Sequence, residues 1–149
     1  MEEDNRNNRT LRFEQIAHAK AETLATLANR VLATNPSLSV LQEPKPQLLM
    51  QQVTDPVEHQ RFNLGEIVVT PAEVSLNDAR GFAMYPGKKE RAALSGAIVD
   101  AAVAGSHTHA ETIQEKLDTV DERRKQNRDE TWSESRHTAV TFETMEEGL

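Results

Sequence analysis

An α+β fold is what the sequence predicts, on three observations. Apolar residues follow three-and-four spacing towards both ends of the chain, short β-branched runs punctuated by proline crowd its middle, and the two patterns stay segregated rather than alternating. The expected architecture is an N-terminal helical segment, an antiparallel sheet of about four short strands, a packed helix, and a C-terminal helical arm with a short extended end. With 149 residues, one domain is the natural division.

Residues 1–9 carry no apolar side chain after Met1 and are expected to be a disordered lead-in. From Thr10 to Thr34 the positions Phe13, Ile16, Ala17, Leu24, Leu27, Ala28 and Val31 predict helix, as one piece or two. Asn35-Pro36 ends it, because the residue before proline is driven out of the helical region. Leu38, Val40 and Leu41, then residues 48–53, read as two short strands forming a hairpin across Pro44 and Pro46. Residues 64–76 give the longest strand signal. Pro71 within it has no N–H to donate, which requires a sheet edge or a bulge there. A turn at Asn77 to Gly81 leads to a return strand at Phe82 to Tyr85. Residues 88–105 predict a helix ended by Gly105, burying Ala93, Leu94, Ala97, Ile98 and Ala101. These small side chains bring the helix axis close to the sheet, so enlarging Ala97 is expected to disrupt it. A last helix starts near Thr108 with Ile113, Leu117 and Val120 on one stripe. Beyond Val120 the stripe stops, and residues 121–149 read as an arm docked on another protein, attached to a domain over 10–120.

Composition narrows the function classes. Leu, Ile, Val and Phe make up only about a fifth of the chain, so the core is thin and part of the molecule is expected to lean on a partner. A formal charge of −7 repels phosphate backbones and anionic lipid, which argues against nucleic-acid and membrane partners. No apolar run reaches the length of a membrane span and the N-terminal residues lack a signal-peptide apolar region, so a cytoplasmic location is expected. The absence of cysteine excludes thiol catalysis, disulfides and cysteine-ligated clusters from this chain.

Several residues stand out chemically. Lys88, Lys89 and Arg91 crowd the first turn of the predicted helix, where the macrodipole disfavours cations and a bound anion would relieve them. Together with free backbone N–H groups from Gly87 onwards they are phosphate-binding candidates, against the plainer reading that they project into water with Glu90 compensating. Glu66, on a half-buried strand, is expected to pair with Arg61 or Arg80 rather than to act as an acid or base. His107 and His109 are the closest histidine pair, with no third ligand in view, and fit the start of a helix better than a metal site. No G-x-S-x-G elbow is present, and no catalytic residues are assigned. Trp132, in a polar stretch with no local core to join, reads as an interface anchor against the plainer reading of a tryptophan folded back on its own domain, and Val140, Phe142 and Met145 in the closing segment join it as interface candidates.

In order along the chain, FNLGEIVVTPAEVSL (62–76), GFAMYPGKK, the AAL…IVDAAV helix and TAVTFETM (138–145) resemble the PhnG family, the G subunits of the carbon-phosphorus lyase core complex. The resemblance spans most of residues 11–146, and its most specific part is F-N-L-G-E…V-T, carried by Phe62, Asn63, Gly65, Glu66 and Thr70. The chain departs from the family where a glycine-rich turn is replaced by residues 54–61, where Pro71 stands for a basic residue, and where Pro86-Gly87-Lys88-Lys89 replaces a G-R-D-K-like turn. Thr141, Glu143 and Glu146-Glu147 differ from the family's closing V-D-F-F-T-M and the basic residue after it. The resemblance implies a hetero-oligomeric complex that couples the ribose triphosphate of ATP to an alkylphosphonate with release of adenine. It also implies a nucleosidase-like I subunit as the main partner and owner of the catalytic groups. No cofactor is expected on this chain, and an iron-sulfur cluster and S-adenosylmethionine are expected on another subunit. The expected role here is structural or substrate-steering. The alternatives are a direct contribution of phosphate-binding residues to catalysis, or a stand-alone binding module unrelated to phosphonates.

Overall fold

The computed structural model describes the backbone of residues 2–123, 125 and 126, and their side chains except those of 2–6, 51, 53 and 62–64. Helices α1 (Glu2–His18) and α2 (Ala21–Leu32) precede strands β1 (Leu38–Gln42), β2 (Gln47–Thr54), β3 (Arg61–Leu76) and β4 (Ala79–Pro86). Helix α3 (Glu90–Ala104) follows, and a fourth, α4, starts at residue 110. All strand pairs are antiparallel, so the α+β class holds.

The N-terminal helical segment is two helices, broken at Ala19 and Lys20, where Lys20 turns extended. Tyr85 holds this break in place by donating its hydroxyl to the Ala19 carbonyl at 2.6 Å. Helix α1 starts at Glu2, not near Thr10 after a disordered lead-in, and Arg9 supplies a reason. Its guanidinium reaches the Arg80 carbonyl at 3.1 Å and lies over the Phe13 ring, anchoring the polar first turns to the body.

The strands form no simple meander. β1 and β2 do not pair with each other as a hairpin; both lie antiparallel to β3 along the same edge, end to end, with residues 43–46 between them. Residues 43–46, which include Pro44 and Pro46, carry the chain on from β1 to β2 without reversing it. β1 ends opposite Glu73 and β2 begins opposite Val69, so residues 70–72 have no partner strand on that edge. Asn77 and Asp78 form a two-residue turn with φ of 46° and 70°, and Leu76 pairs with Ala79 beside it. Counting back from that turn, Thr70 and Ala72 bond towards β4 while Pro71 directs its missing donor at the unpaired gap. Pro71 thus occupies a local edge inside the longest strand, as its chemistry requires.

Helix α3 is the hub. It buries Ala92, Ala93, Ser95 to Ala102 almost all round, against β3 and β4 on one side and α2 on another, while Leu94 is only partly covered. Gly81 makes the close approach possible: a Cβ there would collide with the Ala97 carbonyl and the Ala101 backbone. Ile16, Leu24, Val31, Val74, Val99, Ile113 and Leu117 supply the large buried side chains, each worth roughly 1.5–3 kcal/mol. No helix of the described residues is long and apolar enough to cross a membrane.

Candidate functional site

The turn between β4 and α3 is built from both ends of its neighbours. Thr70, fully buried on β3, donates its hydroxyl to the Gly87 carbonyl at 2.7 Å and accepts the Lys89 N–H at 3.1 Å. Gly87 donates its N–H to the Val68 carbonyl at 2.8 Å and holds a φ of +83°, which glycine adopts without strain. One threonine hydroxyl therefore clamps the turn and serves as the cap that α3 does not find in its own N-terminal residue. This corrects the expectation of free amides: the Gly87 and Lys89 N–H groups are already bonded within the fold.

What the turn presents outward is side-chain charge. Lys88, Lys89 and Arg91 are exposed and, with Glu90 and Ala92, line a pocket of about 310 Å³ closed by Ala21, Glu22 and Ala25 at the start of α2. The N-termini of α2 and α3 thus converge on one pocket, and neither has a side-chain cap bond from its own N-cap residue. The dipoles of two helix starts favour an anion at such a place. Glu22 and Glu90 oppose it, so three cations face two carboxylates.

Other residues singled out in the sequence are dispersed. Phe62 and Asn63 pair through the backbone with Val53 and Gln52, and Gly65 faces Gln51 at the bulge where the register slips. Glu66 lies opposite Met50 and is exposed, so it is neither half-buried nor paired with Arg61 or Arg80 among the described residues. Only Thr70 of that motif reaches the pocket turn. Trp132, Val140, Phe142 and Met145 lie outside the described residues.

The histidine pair has a structural task. His107 Nδ1 accepts the His109 N–H at 3.1 Å, near the start of α4, and Nε2 lies 3.1 Å from the Thr34 hydroxyl. That hydroxyl donates to the Val31 carbonyl at 2.6 Å, so His107 carries its proton on Nε2 and donates it to Thr34. The ring ties the end of α2 to the entrance of α4. Among the described residues no group of three metal-ligating side chains forms.

Sequence reasoning missed Asp100. It is fully buried on α3, takes the Arg12 Nε at 2.6 Å and the Phe82 N–H at 2.9 Å, and has Arg9 at 3.5 Å. Phe13 and Phe82 pack edge to face beside it, with ring centroids 5.9 Å apart. A carboxylate inside the apolar run AIVDAAV was the available signal, because a buried charge must be paired. This constellation joins α1, α3 and β4 by setting two arginines around one carboxylate.

The family model described as "Phosphonate metabolism protein PhnG" matches residues 7–148. No curated protein matches the chain.

Proposed function

The chain belongs to the PhnG family of phosphonate metabolism proteins, and on that premise we propose that it serves a cytoplasmic complex that joins the ribose triphosphate of ATP to an alkylphosphonate with loss of adenine. In that reading its own part is structural and substrate-steering. The catalytic groups belong to the nucleosidase-like I subunit, which it contacts directly, and the iron-sulfur and S-adenosylmethionine chemistry belongs to a further subunit. The family match over residues 7–148 carries the reading. The test is co-expression with the other subunits followed by purification on a tag carried by this chain: the I subunit is expected to follow it through size exclusion. A chain that elutes alone as a stable monomer overturns the reading.

One observation favours a second reading, in which this chain binds phosphate oxygens itself. Lys88, Lys89 and Arg91 share a pocket with the convergent N-termini of two helices. Exposed lysines hold phosphate as point charges, so each contact is screened by salt and modest alone. Replacing Lys88 and Lys89 together by Glu is expected to raise the complex's KM for ATP by about tenfold, equivalent to about 1.4 kcal/mol, with kcat little changed. An unchanged KM in an intact complex removes these residues from the substrate's path.

A further inference from the structure

β2 and the first half of β3 form a two-stranded ribbon, because β4 pairs with β3 only from Val69 onwards. The ribbon reaches past the helical layer and leaves apolar side chains uncovered on both faces. Alternation puts Leu48 and Met50 on one face, 63% and 55% exposed, and Leu49 on the other, where it pairs with Ile67; these two are 38% and 44% exposed. The outer edge of β2 has no strand beside it among the described residues.

That edge is chemically unprotected. Exposed edges are usually blunted by charge, proline or brevity. Gln47 to Thr54 runs eight residues with neither a charged side chain nor a proline, in a chain that is 28% charged. The extra residue of the bulge sits on β3, so β2 itself stays regular. We propose that the free edge of β2 receives an extended, uncharged segment of a partner subunit as an added strand, with apolar side chains of that segment covering Leu48 and Met50 on one face and Leu49 and Ile67 on the other. The inference rests on the chain being a complex subunit and names the surface it uses.

The charge pattern selects the occupant. A strand of matched, uncharged chemistry gains a full ladder of backbone bonds without desolvating an ionised group. Two copies of this chain pairing over the whole of Gln47–Thr54 would instead bring together two molecules already carrying −7 apiece. A separate subunit meets no such repulsion.

The experiment is amide hydrogen exchange on the full chain, free and co-expressed with the other subunits, read at the amides of Leu48, Met50, Gln52 and Thr54, which alternate away from β3 towards the free edge. Exchange is expected to be fast in the free chain at every concentration and strongly slowed in the complex. In parallel, Leu48→Lys with Met50→Lys is expected to weaken assembly about 30-fold or more, while amide protection of α3 stays as in the parent. Fast exchange of these edge-facing amides in an intact complex overturns the proposal but leaves complex membership standing. Protection already present in the free monomer assigns the edge to the chain's own C-terminal residues, and protection that grows with concentration assigns it to a second copy; either overturns it. Failure of the parent chain to assemble at all removes both readings together. Should the lysine variant misfold, exchange in the parent complex still decides.

Discussion

Asp100 shows how one side chain organises three elements. Its oxygens answer the Arg12 guanidinium from α1 and the Phe82 amide from β4, and it is itself held on α3. Burying a carboxylate is costly, and here two arginines and a backbone donor offset the cost. Asp100→Ala leaves a buried guanidinium without a counter-charge and a strand amide without an acceptor, and is expected to cost about 3–5 kcal/mol in chemical unfolding. Asp100→Asn keeps a carbonyl for Phe82 and is expected to cost less. If the alanine variant unfolds at the parent's denaturant midpoint, the constellation is dispensable. Thr70 works at the same scale: a single hydroxyl determines where the Gly87 turn sits, and hence where Lys88 and Lys89 emerge.

Among the elements, α3 and β4 are joined by the lack of side chain. Gly81 lets β4 approach α3 until the Ala97 carbonyl fills the space a Cβ would need. Gly81→Val is therefore expected to cost about 3 kcal/mol or more, since backbone rather than a flexible side chain must yield. The readout is the thermal midpoint, and an unchanged value would mean that the strand can shift without penalty. The small residues along α3 announced this packing in the sequence, and Ala93, Ala97, Ile98 and Ala101 are buried as their spacing predicted. The pairing of β1 and β2 was not legible there. Two short strands flanking prolines read as a hairpin locally, and only the length of β3, long enough to accept both along one edge, makes them collinear.

For the molecule as a whole, stability depends on a thin core wrapped around α3 and on a few polar ties between layers. Tyr85 is such a tie: burial raises its pKa above the ordinary 10.0, and its hydroxyl donates to the Ala19 carbonyl. The folded chain keeps this proton at a pH where the unfolded chain has released it. The contribution is thus complete below about pH 10 and is lost as pH rises through the folded-state value. Urea unfolding between pH 8 and 11 is expected to show stability falling at the alkaline end, and Tyr85→Phe is expected to flatten that fall. A slope identical in both proteins would show that other groups set it.

Taken by itself, the sequence determined the α+β class, the order of helices and strands, the small-residue face of α3 and the family, because periodicity and residue order are local properties. It also marked Lys88, Lys89 and Arg91 as a cationic cluster. The tertiary structure alone decided that the Gly87 and Lys89 amides are bonded internally, that Glu66 is exposed while Asp100 is buried, and that no strand among the described residues covers the outer edge of β2. Each of these depends on which distant groups meet. A hydrogen bond between residues 17 or 88 positions apart leaves no periodic trace in the chain that makes it.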